Sequence, residues 1–423
     1  MKGGRLKMLL KLTFASLYAR LLTVSMTVFA ISLSLMLYLS VEKLRTSAYT
    51  SFTDTISQTD LILGSRTSSI QLLLYSVFRV GNATNNITWE SYEEIMNKDE
   101  VEWSVPISLG DSHKGFRVMG TNLDFFKRYK YRGGQLIEIS EGNYFDDLYD
   151  VVIGAAVAEK LKYNIGKSII VSHGIKSFTD HDDQPFKVSG ILEKTGTPID
   201  NTVIVSLEAI EAIHVDWSSG AKIPGQETPI EEIRNMDLSA KNITAAFIGV
   251  KSKLTIFKLQ RWINEYPEEA LTSILPGVAL HELWRIIGIV ENLLLGISIV
   301  VIFTTLIGMA AIIFSSLNER RREMAIWRAM GASPNIVIGI LMLEAFIISF
   351  LSTLISSILL YILLNILQPW IDDTYGILIN IELLSLKDLL IFILFIISAM
   401  LVSLIPAIRA YWFSINDGMT IKI

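Results

Sequence analysis

Residues 293–314 read LLLGISIVVIFTTLIGMAAIIF, and residues 315–334 continue SSLNERRREMAIWRAMGASP. The first stretch carries no charge and holds roughly 20 residues, the length that a helix needs to cross a hydrocarbon core of about 30 Å. The second places Arg320, Arg321, Arg322 and Arg328 directly beyond it. An apolar run ending in a cluster of arginines is the pattern of a membrane span with its basic end in the cytoplasm.

Three further runs of similar length and character occur: Leu21 to Ser40, Ala345 to Leu364, and Leu389 to Ile408. The first follows a basic start (Lys2, Arg5, Lys7, Lys11, Arg20) that contains no acid. Unlike the hydrophobic part of a secretory signal, it is long enough to span and lacks a small-x-small end. The chain continues as Val41-Glu42-Lys43-Leu44-Arg45, which reads as an uncleaved helix. The link from Gln368 to Lys387 has a single basic residue beside Asp372, Asp373 and Glu382. Both termini and the arginine-rich link are therefore expected on the cytoplasmic side, and the long segment after the first span outside.

The 423 residues are 51% hydrophobic and 19% charged, which fits apolar runs concentrated in a few places. The net charge of −5 identifies no partner. With no cysteine in the chain, disulfides, zinc–thiolate sites and thiol catalysis are excluded.

The segment from Thr46 to about Arg285 reads as globular. Strand-like stretches at 60–63, 101–107, 115–119, 168–172, 186–192, 202–205 and 244–250 alternate with helical patterns at 70–80, 89–96, 155–163, 207–213 and 254–266. That mixture predicts α+β layers. At the membrane, Leu6 to Leu17 sets apolar residues around Lys7 and Lys11, the pattern of a helix lying in the interface. The run from His281 to Glu291 predicts a helical stalk leading into the second span. The expected fold is thus an α-helical membrane protein with four transmembrane helices plus a large α+β extracytoplasmic domain. Its regions are an amphipathic helix and first span (1–45), the outer domain (46–285) and the remaining spans (286–423).

Between the second and third spans, Met324, Trp327 and Met330, with Ile326, share one side of a helix that Gly331 ends, and Pro334 starts the next. Such a helix suits insertion into a groove on a partner. A solvated basic loop that only satisfies the charge bias is the alternative. This stretch resembles the coupling region of the MacB/FtsX/LolC superfamily of ABC permeases, whose pattern is roughly E-R-x-R-E-I-x-x-x-R-A-x-G-A-S followed by a span with L-x-E-A. Glu319, Arg320, Arg322, Glu323, Arg328, Ala329, Gly331, Ala332 and Ser333 match that pattern. Leu343-Glu344-Ala345 matches apart from the spacing of the leucine, and Pro406-Ala407-Ile408-Arg409-Ala410 is similar to the family's P-A-x-x-A ending.

The resemblance implies a permease subunit that docks, through a helix at about 316–332 bearing Glu319, Arg320, Arg322, Glu323, Trp327, Arg328 and Gly331, and near Glu344, on a separate LolD- or MacB-like ATPase. ATP and Mg would be bound by that ATPase, and no cofactor directly by this chain. It also implies a second permease copy or paralogue in a dimer, contact with membrane lipid, a bacterial inner-membrane location and no nucleic acid. The stretches 151–161, 165–168 and 186–192 look like the small β-rich subdomain that the family inserts into its outer domain. The expected division is a porter-like part at about 46–110 and 241–285 and an insert at about 111–240. A periplasmic substrate or accessory protein would be the outer domain's target. A non-transporting regulator of a periplasmic partner is the alternative within the same family.

Two other motifs invite chemistry. Gly166-Lys167-Ser168 lacks the first glycine of a phosphate-binding loop, since position 161 is Leu161, and it lies in the outer segment; a turn into a strand fits better. No complete nucleotide motif occurs, so the chain is expected to be non-catalytic. His173, Asp180, His181, Asp182 and Asp183 bring two imidazoles and three carboxylates within a dozen residues, a set that suits a divalent metal such as zinc. An acidic surface loop is the alternative reading. His113, His173, His181, His214 and His281 are the only histidines, and none sits in a recognisable nucleophile context.

Overall fold

The computed structural model describes residues 2–174, 184–218, 221–222, 228–319, 333–375 and 385–416. The chain divides into two compact units: a membrane unit of Met1–Thr46, Gly288–Pro369 and Ile379–Ile423, and an outer unit of Ser47–Ile287 with Trp370–Leu378.

The membrane unit is helical because a backbone crossing lipid must satisfy every N–H and C=O within its own segment. A short helix, Lys2–Ala19, precedes the long helices Leu21–Asp54, Pro276–Glu319, Pro334–Tyr375 and Leu386–Asn416. Among the described residues these four are long and apolar enough to cross a membrane. Each contains one of the apolar runs and extends past it, since polar residues at a helix end keep the same backbone bonds once the chain has left the hydrocarbon. Close approach of the first and third spans is marked by Ser32 and Ser352, both fully buried. The Ser32 hydroxyl donates to the Ser352 carbonyl at 3.2 Å, and the Ser352 hydroxyl donates to the Val28 carbonyl at 3.3 Å. Small hydroxyl residues at a crossing let two backbones meet without a void. Ser34 and Thr305, 2.8 Å apart, do the same between the first and second spans.

Charged pairs hold the C-terminal end of the first span. Lys43 lies 3.1 Å from Asp388, and Arg45 lies 3.3 Å from Glu291. Asp388 also closes a capping box with Ser385: the Ser385 N–H donates to its carboxylate and the Asp388 N–H to the Ser385 hydroxyl. That pairing satisfies two of the orphan donors at the start of the fourth span.

The outer unit is built on one 11-stranded sheet. Its strands are β1 (Leu61–Ser65), β2 (Val101–His113), β3 (Phe116–Thr121), β4 (Ile139–Gly142), β5 (Asp150–Ile153), β6 (Ser168–Ile169), β7 (Ser172–His173), β8 (Phe186–Leu192), β9 (Thr202–Ser206), β10 (Ala245–Val250) and β11 (Leu271–Ile274). The order is β11-β1-β10-β2-β3-β9-β5-β8-β4, with β7 paired to β2 and β6 to β8. Two pairs, β3 with β9 and β5 with β8, are parallel, and the others are antiparallel. The strand β2 runs through residues 110 and 111, so the sheet is continuous across the expected edge of the insert.

Alternation along the strands sorts the core into three clusters, as the two-residue period requires. Ile62, Val105, Ile107 and Phe247 pack on one face with Leu72, Tyr75, Phe125 and Tyr129. Leu61, Leu63, Ala246 and Ile248 point the other way, against Ile95, Leu259 and Ile263. Further along, Val118, Val151, Val203 and Val205 meet Val157 of the helix Ala155–Leu161 and Ala209 and Ile213 of the helix Leu207–Ile213. The last helix sits unusually close to the sheet. A β-carbon on Gly120 of β3 would lie 2.5 Å from Ile210 Cγ1, so only glycine admits that approach.

The first and second long helices end inside this unit. Trp284 lies with its ring centre 5.4 Å from that of Tyr49 and 5.6 Å from that of Phe52. Phe52 in turn lies 4.6 Å from Phe78, and Ala279 and Leu283 are buried in the same cluster.

Candidate functional site

Of the residues matched to the coupling pattern, Glu319 ends the described helix, while Arg320, Arg322, Glu323, Trp327, Arg328 and Gly331 lie outside the described residues. Glu344 is described, and it is 1% exposed near the start of the third span. The Ser16 hydroxyl donates to its Oε1 at 2.6 Å, and Arg20 approaches the same oxygen at 3.5 Å. Arg20 also donates to the Ser16 hydroxyl at 3.3 Å. A carboxylate buried in a helical bundle is costly unless charged and hydrogen-bonding groups meet it. Here the residues that meet it come from the junction of the N-terminal helix and the first span, so Glu344 fastens that junction to the third span.

The sequence placed metal-binding candidates at His173, Asp180, His181, Asp182 and Asp183. Only His173 is described, and the other four lie outside the described residues. The structure brings His173 to Asp111 and His214, which sequence reading did not single out as ligands. Local structure explains how. The pairing of β2 with β3 shifts register between Leu109 and Ser112, a bulge that re-aims the side chains within it. Asp111 lies in that bulge, 2% exposed and directly across the strand pair from His173. The β2–β7 pairing is held by Gly174 N–H donating to the Gly110 carbonyl at 3.1 Å and by the Ser112 hydroxyl donating to the Gly174 carbonyl. His214 caps the C-terminus of the helix Leu207–Ile213, and its Nδ1 lies 2.7 Å from the Ile210 carbonyl of that helix's last turn.

The three side chains meet edge to edge. His173 Nδ1 is 3.2 Å from His214 Nε2 and 3.2 Å from Asp111 Oδ1, and His214 Nε2 is 3.7 Å from the same oxygen. Oδ1 is buried, and among the described residues no donor gives it a hydrogen bond of good geometry. Interaction with the Asp111 carboxylate raises the His173 pKa above the ordinary imidazole value, against the opposing effect of burial. Trp217 walls the group, with its ring centre 5.3 Å from that of His173. Two residues along from Asp111, His113 has a different part: it is buried, 2.6 Å from the Ile170 carbonyl through Nδ1 and 3.1 Å from the Tyr163 hydroxyl through Nε2, which ties β2 to the chain on both sides of β6. Gly166 takes a positive φ of 84° at the turn before β6, in keeping with a turn and not a phosphate loop.

Comparison with known proteins bears on both units. A model of the FtsX-like permease C-terminal matches residues 295–415, and one of the MacB-like periplasmic core domain matches residues 21–243. Among solved structures, the extracellular domain of the noncanonic ABC-type transporter YknZ from Gram-positive bacteria aligns at 16% identity with a TM-score of 0.30, covering 51% of this chain and 98% of that one. The periplasmic region of MacB from Actinobacillus actinomycetemcomitans aligns at 10% identity with a TM-score of 0.33, covering 54% and 94%. At such similarity neither alignment carries an argument about this chain. No curated protein matches it. The periplasmic core model by itself spans more than half of the chain and the permease model much of the rest, so the chain belongs to the MacB/FtsX-like family of ABC transporter permeases.

Proposed function

We propose that this permease relays ATP-driven motion of a separate ATPase subunit to its outer domain, which acts on a substrate of the bacterial envelope. The observation that carries the reading is the length and continuity of two helices. Leu21–Asp54 has 34 residues and Pro276–Glu319 has 44. At 1.5 Å per residue these run about 50 Å and 65 Å, well beyond a hydrocarbon core of about 30 Å. Each continues from an apolar run to outer-unit residues of the aromatic group Tyr49, Phe52, Phe78 and Trp284. Continuous helical backbone over that length is the support for a relay.

At the opposite end, the Glu344–Ser16–Arg20 cluster supports a bundle that moves as a block. The arginines at 320–322 and 328 support a cytoplasmic position for that end and for both termini, with the outer domain on the far side. ATP hydrolysis then belongs to the partner, docked on the segment from Glu319 to Gly331, and the working unit contains two permeases.

The test is co-expression with ABC-type ATPase subunits of the same cell and purification through a tag on this chain. Stoichiometric co-purification with ATP turnover that falls several-fold on Arg328→Glu is the expected result. An ATPase that never co-purifies, or turnover indifferent to Arg328→Glu, would overturn the docking assignment.

A further inference from the structure

We infer that Asp111, His173 and His214 form a binding site for a divalent transition-metal ion of the zinc type on the outer domain. The inference stands on the outer domain's own geometry and is independent of the ATPase relay.

Three donor atoms converge on one point. The separations of 3.2, 3.2 and 3.7 Å among His173 Nδ1, His214 Nε2 and Asp111 Oδ1 form a near-regular triangle. A tetrahedral zinc ion bound at about 2.0–2.1 Å from each of three N and O ligands sets those ligands about 3.3–3.4 Å apart. Two imidazoles and a carboxylate are a donor set that zinc takes in its protein sites.

The donor atoms carry the right electron pairs. A backbone carbonyl only accepts, so the Ile210 carbonyl keeps a proton on His214 Nδ1 and leaves a lone pair on Nε2 of the neutral ring. That second bond is also what orients metal-bound imidazoles generally. Asp111 Oδ1 is an acceptor that, among the described residues, receives no well-aligned hydrogen bond. Two lone pairs therefore face His173 Nδ1, and once its proton moves to Nε2 of the same ring, three face the point between them.

The supporting structure is independent of the ligands. A bulge aims Asp111, cross-strand register sets His173, and a helix end sets His214, so three separate elements converge here. Burial is graded as a loading site needs. The Asp111 side chain is 3% exposed while those of His173 and His214 are 35% and 27% exposed, so solvent reaches the two imidazoles.

The experiment uses the full-length, tag-free chain in detergent, stripped with a chelator and titrated with Zn²⁺ and, for its visible spectrum, Co²⁺. Wild type is expected to bind one ion per chain, with the intense visible bands of four-coordinate Co²⁺. His173→Ala and His214→Ala are expected to weaken Zn²⁺ binding by more than the roughly 10–100-fold typical of losing an outer-shell partner. A third of the His173 side chain is exposed, so its replacement probes the site in a folded chain even if His214→Ala disturbs the helix end. Wild type that binds neither ion, or His173→Ala and His214→Ala chains that bind like wild type through other side chains, would overturn the inference.

Discussion

Two carboxylates are buried to nearly the same degree in the two units, Glu344 at 1% and Asp111 at 2% exposure, yet their surroundings differ in kind. Glu344 is met by a hydroxyl at 2.6 Å and a guanidinium at 3.5 Å, both from the junction of the N-terminal helix and the first span. Asp111 is met by two imidazoles whose nitrogens lie 3.2 and 3.7 Å from Oδ1, without a hydrogen bond of good geometry among the described residues. A buried carboxylate that is answered by its surroundings contributes to holding the fold, and breaking such a pair is costly. One surrounded by groups that can change partner is prepared for a ligand. The difference separates a fastening from a site.

The largest effect expected is at the fastening. Glu344→Ala strands Arg20 and Ser16 at a helix junction and should destabilise the membrane unit by about 2–4 kcal/mol. Unfolding in denaturing detergent would measure it, and a variant as stable as wild type would remove the contrast. Next comes Gly120→Val, which forces the helix Leu207–Ile213 away from β3. Overpacking of this kind costs about 1–3 kcal/mol, and since His214 rides on that helix, Zn²⁺ affinity should fall with it. Isothermal titration alongside thermal unfolding reads both.

Asp111→Asn sharpens the comparison from the other side. Without metal it should change stability by under about 1 kcal/mol, while abolishing the rise in Tm that Zn²⁺ gives to wild type. A large loss of apo stability would make Asp111 a second fastening. The smallest effect is at the surface, where Arg234 grips Asp147 with two bonds of 2.8 Å. Those bonds and the Tyr149 N–H hold the Asp147 carboxyl below its ordinary value of 3.8. A depressed carboxylate contributes stability that is present above its unfolded pKa and is lost as pH falls through the lower folded one. Being exposed and screened, the pair is worth under about 1 kcal/mol. Arg234→Ala should therefore lower Tm slightly at pH 7 and not at all in acid below the folded pKa.

Much of the fold was legible because its signals are local. The strand at Phe186–Leu192 and the helices Trp89–Met96 and Leu207–Ile213 fall where periodicity puts them. The four spans were legible as apolar runs, but their full extents were not, because residues such as Glu42, Lys43 and Glu291 look like ends to a hydropathy reading while serving as paired residues within longer helices. The four-residue strand Leu271–Ile274 went unread, its side chains too few to establish a period. The site was legible in one member of three. His173 stood beside other metal-ligating residues in the chain, whereas Asp111 and His214 reach it only through a bulge and a helix end, neither of which has a periodic signature. Gly110, immediately before Asp111, was the one local hint of irregular strand geometry.

The relay itself can be read directly, because the chain has no cysteine to compete with a placed label. Leu254 is 92% exposed on the outer domain and tolerates replacement by a labelled cysteine. In the complex with its ATPase in lipid nanodiscs, adding ATP should change the environment-sensitive fluorescence of that label, and Arg328→Glu should abolish the change while leaving the labelled domain folded. A complex that turns over ATP with no ATP-dependent change at Leu254→Cys, or at further labelled positions across the outer domain, would contradict the account.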